Sequence, residues 1–330
     1  MLDKIDILSF NLEKLQNAFV TLGLKKYNAS QVYEWLHNKM EFDFDNFSNL
    51  SKENRETLKK RFYLPKLEYK EHQISVEDDT EKFLFELQDN RLIESVLIGH
   101  KNRYTLCVSS QIGCLLGCDF CATALMNYER NLEVSEILLQ YYYVEKYLRE
   151  KNETLSNVVF MGMGEPFLNY DNVIESINML NSKSGLNVSK RNFTISTSGI
   201  VPAIKKFTEE EHQINLAVSL HSVKDNVRSQ LMTINKKYPL TELKSALVNY
   251  QIKTKNRITF EYILIDELNC EKKDAFDLAA FLRSFSSLVN LIPYNPVSGK
   301  EYSAPSKKKQ KEFYSILKER NINVTLRETK

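Results

Sequence analysis

No stretch of the sequence approaches the roughly 18 apolar residues that a membrane-spanning helix requires. The amino terminus, Met1 to Phe10, carries Asp3, Lys4 and Asp6, which break the apolar run a secretory signal needs. A cytoplasmic protein is therefore expected. An excess of one charge is also lacking: 45 Lys and Arg face 43 Asp and Glu, a formal net charge of +2. Bulk electrostatics thus announces no nucleic-acid partner, and any RNA surface has to be a local patch. There is no internal repeat and no low-complexity linker. Cysteine is scarce, with five in 330 residues, which argues against a disulfide framework and for metal or catalytic work. What the chain does have is 42% apolar residues, enough to exclude wholesale disorder, and length for one large domain plus a small one or two of ordinary size.

The first sixty-odd residues read as short helices. Asn11–Leu22, Ala29–Lys39 and Lys52–Arg61 place apolar residues at three- and four-residue spacing, with Ser30 and Ser51 as candidate caps. From Leu67 to about His100 the pattern turns to strands, with Lys82–Leu87 and Leu92–Ile98 the clearest. Beyond Arg103 strand and helix alternate regularly. Strands are expected at Tyr104–Val108, Asn157–Met161, Phe193–Thr197, Asn215–Leu220, Thr259–Ile265, Leu288–Ile292 and Asn323–Leu326. Helices are expected at Ser135–Arg149, Asp171–Leu180, Pro202–Glu210, Thr241–Ile252, Lys272–Phe285 and Ser306–Arg320, with Asp171 and Thr241 where N-caps belong. Six β/α units imply a parallel sheet with helices outside, either an open wound sheet or a partly closed barrel. A full eight-unit barrel needs more chain than remains.

Four of the five cysteines, Cys107, Cys114, Cys118 and Cys121, fall within fifteen residues, and the last three have the spacing C-x3-C-x2-C in the loop after the first strand of the β/α region. Thiolates are soft ligands that suit zinc or an iron–sulfur cluster. Structural zinc wants four protein ligands, and no His lies near in sequence to complete a tetrahedron, although distant Cys270 or His221 could. Three thiolates on a four-iron cluster leave one iron open to a chelating ligand.

The surrounding text adds a resemblance. Cys107-Val-Ser-Ser-Gln-Ile-Gly-Cys114, Cys121-Ala-Thr, Phe160-Met-Gly-Met-Gly-Glu-Pro166, Ser196-Thr-Ser-Gly199, Ser219-Leu-His221, Ile234-Asn-Lys-Lys-Tyr238 and Asn290-Leu-Ile-Pro-Tyr-Asn-Pro296 together resemble the RlmN/Cfr family of radical S-adenosylmethionine RNA adenine methyltransferases. The match runs from about Leu15 to Lys330. It implies an α/β fold, a radical-SAM partial (β/α)6 barrel with a small N-terminal helical domain and a short β extension. Residues 1–65 would be a helical RNA-docking module, 66–102 a β extension or linker, and 103–330 the radical SAM core. The implied cofactors are a [4Fe–4S] cluster on Cys114, Cys118 and Cys121, and S-adenosylmethionine held by Gly164, Glu165, Ser196, Ser219, Leu220, His221 and Asn295. The implied partners are 23S ribosomal RNA, tRNA and an electron donor such as flavodoxin, with the protein acting as a monomer.

Two further positions take catalytic roles by resemblance. Glu94, thirteen residues before Cys107, matches the family's proton acceptor. An acidic residue in an otherwise apolar strand is unusual, and burial would tune it toward a base, whereas a solvated strand-face carboxylate is the plain alternative. Cys107 matches a catalytic cysteine that resolves the covalent protein–RNA adduct. Cys270 matches no role and reads as structural. The other catalytic cysteine of the family, the methyl carrier, belongs to a Gly-x-Asp-Ile-Asp-Ala-Ala-Cys-Gly-Gln-Leu tail that follows an ending like Val324-Thr-Leu-Arg-Glu-Thr-Lys330. None of the five cysteines here matches that position, so these 330 residues are expected to bind cluster and S-adenosylmethionine without completing methyl transfer. Leu115-Leu116-Gly117 between the first two ligands points to methylation at adenine C2 rather than at C8, the Cfr activity. A cluster-stapled RNA-binding homologue that no longer methylates, and a zinc-stapled module, are the readings from other classes. Lys59-Lys60-Arg61, Lys236-Lys237, Lys307-Lys308-Lys309 and Lys311 offer phosphate contacts but read equally as solvated helix faces.

Overall fold

The computed structural model describes residues 4–76, 78–101 and 103–327, so the last three residues of the family match lie outside it. The chain forms two compact units that alternate along the sequence. One comprises Met1–Ser109, Leu132–Val158 and Asp171–Phe193; the other comprises Ser110–Asn131, Val159–Tyr170 and Thr194–Lys330. Among the described residues no helix is long and apolar enough to cross a membrane.

The first unit opens with helices Leu12–Thr21, Lys26–His37 and Lys52–Arg61. Asn11 caps the first by accepting from the Lys14 N–H, and Leu15 and Phe19, one turn apart, form its buried stripe. Ser51 caps the third through the Asn54 N–H, as its position suggested. Ser30 is no cap: the second helix already starts at Lys26, because Lys25 takes the extended cap backbone and the burial of Asn28 and Ala29 draws the first turn inward. Strands Glu68–Ile74, Thr80–Glu86, Leu92–His100 and Arg103–Cys107 pair antiparallel in that order. The third alternates cleanly, with Ile93, Ser95 and Leu97 buried and Glu94 on the other face. Helix Val134–Glu150 begins in a capping box formed by Glu133 and Glu136. Its buried Gln140 links Ser95 Oγ and the Ser109 N–H, both at 2.8 Å.

The second unit holds a parallel sheet. Strand Phe193–Thr197 pairs with Asn215–Ser219, which pairs with Ile258–Leu264, then Ser287–Pro293, then Val324–Leu326. Helices Val201–Glu209, Leu240–Thr254, Lys272–Leu282 and Lys307–Glu319 occupy the crossovers. Strands covered on both faces need near-continuous apolar sequence, and Ile258–Leu264 is buried at six of its seven positions. The exception to that apolar rule is Glu261, which is taken up below. Thr241 lies inside its helix rather than capping it. The Asp225 carboxylate accepts the Leu240 N–H at 3.0 Å, so a distant acid satisfies the helix start and no local cap is required.

Candidate active site

At the carboxyl ends of the second unit's strands, where β/α folds bind ligands, a cavity of about 250 Å³ opens. It is lined by Cys114, Cys118, Cys121, Gly164, Glu165, Ser196, Ser219 and His221, which the sequence placed there. Phe120, Ser198, Met232, Glu261 and Ile292 line it too.

The cysteine loop is shaped by backbone. Gly113, just before Cys114, has φ +69°, and a Cβ there would meet Asn127 O at 2.1 Å. Cys121 N–H returns to Cys118 O at 3.1 Å, and Asp119 N–H donates to Leu231 O at 2.9 Å. Lys300 and Tyr302 hold the Asp119 side chain and keep its carboxyl below the usual range. Burial pushes the Cys118 thiol well up, and the neighbouring Cys121 and Cys114 push it further. Burial also raises Cys114. Cys114 and Cys118 so placed resist ionisation unless a cation holds them, as metal-binding thiols do.

The spacing of the sulfurs says which kind. Tetrahedral zinc, with Zn–S near ~2.3 Å, would hold them roughly 3.8 Å apart. Among the described residues, the three side chains that bring metal-capable atoms all within 4.8 Å of one another are Asp266, Cys270 and Glu271, not the three cysteines. The three cysteine sulfurs are not all within 4.8 Å of one another, a looser set than one tetrahedral zinc would draw together and in keeping with a larger cluster. Cys270 is no fourth ligand here; its Sγ lies 3.8 Å from Asp266 Oδ1, and Lys309 bridges Asp266 and Glu271 as their cation.

Gly164 follows strand Leu155–Phe160 with φ +99°, and a Cβ on it would lie 2.5 Å from Gln111 Cβ, so the loop can bring only bare backbone to this point. Glu165 is buried yet fully occupied. It accepts from Ser198 N (2.8 Å), Ser198 Oγ (2.6 Å) and Phe167 N (3.1 Å), while its own N–H goes to Gln111 Oε1. Burial raises its pKa and these donors oppose the rise. His221 sits in the left-handed region at φ +58°, held by Asn269 Nδ2 on its carbonyl. The Ile263 N–H donates to His221 Nδ1, so the neutral ring carries its hydrogen on Nε2. Burial lowers the ring to about 3, which keeps it neutral.

Other expected residues fall elsewhere. Leu220 is buried and meets its neighbours through backbone: its N–H goes to Glu261 O and its carbonyl accepts from Arg228. Asn295 is exposed, two residues past strand Ser287–Pro293, and does not line the cavity. In the first unit, Cys107 ends strand Arg103–Cys107 half-buried, in register with Val96. Glu94 lacks the burial that would tune it as a base. Its side chain is 43% exposed and pairs with Lys82 at 3.2 Å, because its strand turns Ile93 and Ser95 inward instead.

Glu261 escaped the sequence reading, although it carries the signal noted for Glu94, an acid within an apolar strand. Burial pushes it up to about 7, against Asn290, which donates to Oε1 at 2.9 Å, and Arg327.

A family model for the ribosomal RNA large subunit methyltransferase N-terminal domain matches residues 5–64, and one for the radical SAM superfamily matches residues 108–279. A probable dual-specificity RNA methyltransferase RlmN of Fervidobacterium nodosum is 43% identical over 328 residues, covering 98% of this chain and 93% of its own. The Staphylococcus carnosus protein of the same description is 43% identical over 325 residues, 98% of this chain and 89% of that one. The crystal structure of a radical SAM methyltransferase from Sphaerobacter thermophilus matches with TM-score 0.94 at 38% identity, covering 98% of this chain and 95% of that one. Radical SAM membership implies S-adenosylmethionine and a [4Fe–4S] cluster, and the open three-thiol set fits the latter. Relatives at this identity along nearly the whole chain place it in the RlmN/Cfr family, as a radical S-adenosylmethionine enzyme that methylates RNA.

Proposed function

We propose that this enzyme methylates C2 of an adenine in 23S ribosomal RNA, at the peptidyl-transferase centre, and adenine 37 of tRNAs. The observation that carries the reading is the convergence of Cys114, Cys118, Cys121, Glu165, Ser196, Ser219 and His221 on one cavity, since these are the positions at which the chain matches the family. The dual-specificity description of its relatives supports two RNA classes. Leu115-Leu116-Gly117 supports C2 over C8.

Cys114, Cys118 and Cys121 would hold the [4Fe–4S] cluster, which supplies the electron that cleaves S-adenosylmethionine to a 5′-deoxyadenosyl radical. A radical route answers a chemical need, because an unactivated aromatic C–H carbon is a poor nucleophile. The backbone of the loop through Gly164 and Glu165 would hold the methionine end of S-adenosylmethionine. The hydroxyls of Ser196 and Ser219 and the Nε2–H of His221 offer polar contacts to the rest of it. Glu94 takes the proton lost from the substrate carbon, and its exposure lets that proton pass to solvent. Cys107 resolves the covalent intermediate. In the family the methyl group is carried by a cysteine of a carboxyl-terminal tail, and a flavodoxin-type donor would supply the electrons.

The test is a methylation assay on 23S RNA and tRNA from cells lacking the modification, with anaerobically reconstituted protein and nucleosides read by mass spectrometry. A form carrying the family tail is run beside the 330-residue chain. The tail-bearing form should yield 2-methyladenosine. Formation of 8-methyladenosine would move the reading to the Cfr activity. Cleavage of S-adenosylmethionine with no RNA product would overturn the substrate assignment.

A further inference from the structure

Arg228 is the largest of the fully buried side chains, with no exposed surface. It lies on the short helix Asp225–Leu231. A buried guanidinium normally meets a carboxylate, because an uncompensated charge inside a protein is costly. Here its four hydrogen bonds go to neutral oxygens: Nε to Leu220 O at 3.1 Å, Nη1 to Asn235 Oδ1 at 2.8 Å, and Nη2 to Ser198 O at 2.6 Å and Ser219 O at 3.1 Å. Its helix also grips the cysteine loop on both sides of Cys118. Leu231 O accepts the Asp119 N–H, and just beyond it Thr233 Oγ1 donates to Leu116 O at 2.7 Å. One segment therefore ties together the cysteine loop and the strand ends that carry Ser198, Ser219 and His221. It also buries a positive charge on which Cys118 acts most strongly after burial itself, followed by Asp225, whose carboxylate reaches Arg228 only through Asn235. A buried cation that hydrogen-bonds no carboxylate directly makes physical sense if a further negative partner arrives with the cofactor.

We propose that Arg228 is a positioning residue for the cofactor site, which orients the Ser198–Ser219–Leu220 strand ends and supplies the fixed positive charge that favours the reduced cluster. This rests on the reading that Cys114, Cys118 and Cys121 hold a [4Fe–4S] cluster. A cluster on three thiolates becomes more negative when it gains an electron. A buried cation beside it makes that electron easier to add, and so raises the midpoint potential. The arginine fork reaches four acceptors at once, which a lysine ammonium with three donors cannot do.

The experiment compares the parent with Arg228→Met and Arg228→Lys, each reconstituted anaerobically. Iron and sulfide are quantified, the midpoint potential is titrated by electron paramagnetic resonance, and S-adenosylmethionine affinity is measured by calorimetry. Arg228→Met with a full cluster should show a more negative potential than the parent. Arg228→Lys keeps the charge, so its potential should stay close to the parent while its affinity for S-adenosylmethionine falls about tenfold. An unchanged potential in cluster-loaded Arg228→Met overturns the proposal. If Arg228→Met takes up no cluster, Arg228→Lys decides, and parent-like affinity there overturns it. A parent that takes up no cluster would instead sink the reading of the three cysteines.

Discussion

Acidic side chains around the cysteine cavity of the second unit and in the antiparallel sheet of the first are treated in opposite ways. Around the cysteine cavity, Glu165 is buried and saturated with three donors, and Glu261 is buried with Asn290 on one oxygen. In the antiparallel sheet of the first unit, carboxylates stand on partly open faces and meet lysines: Glu94 with Lys82 and Glu86 with Lys70. Exposed pairs of that kind are screened and contribute little, whereas a buried acid commits every neighbour that satisfies it. The contrast teaches where rigidity is concentrated. The cavity wall is built from polar groups that cannot be changed singly, while the sheet can lose a charge with little consequence for folding.

The largest effect expected is that of Cys118→Ser. It should abolish cluster assembly, read as loss of iron and sulfide and of methylation, and a variant that keeps its full iron content would break the assignment of the cavity. Next comes Glu165→Ala, which strands the Ser198 N–H, the Ser198 hydroxyl and the Phe167 N–H in a buried place. It should cost on the order of 3 kcal/mol in denaturant unfolding, and a cost below about 0.5 kcal/mol would show that water refills the site.

Glu261→Gln probes the same wall through pH. The Glu261 carboxyl is held at about 7 in the folded chain against 4.5 ordinarily, so the folded state binds its proton more tightly. Its contribution to stability is complete below about pH 4.5 and is lost as the pH rises through 7. The glutamine variant should therefore gain on the parent between those values, by on the order of 2 kcal/mol at pH 8. Parent and variant curves that stay parallel would contradict the burial of that acid. The smallest effect on stability belongs to Glu94→Gln, within about 0.5 kcal/mol, since its partner Lys82 is itself solvated. Its effect on methylation should still reach roughly a hundredfold, the usual scale for losing a proton acceptor. Parent-like turnover would remove Glu94 from the chemistry and leave it a plain surface ion pair.

Local pattern made much of this molecule legible. Helix Lys52–Arg61 and strand Phe193–Thr197 form over the residues that periodicity marks, and the other main strands differ from expectation by about two residues or fewer. A strand's alternation and a helix's stripe are properties of neighbouring residues, so they survive in a linear reading. Satisfaction at a distance does not. Thr241 looked like a cap because the acid that really serves that helix, Asp225, is fifteen residues away. Glu94 and Glu261 carry the same signal in sequence, and one turns out exposed and the other buried, because a strand's two faces are distinguished by what covers them.

The sequence alone determined the order of strands and helices, the three-cysteine spacing and the family, because each is written in short runs of adjacent residues. Only the tertiary structure decided that the three sulfurs are not all within 4.8 Å of one another and that Asn295 stays off the cavity wall. It alone showed that Glu261 lines that wall and that Arg228 lies buried with only neutral oxygens in its direct hydrogen bonds. Those four outcomes depend on strands brought side by side by packing, and contacts between distant segments are not encoded at any single position in the chain.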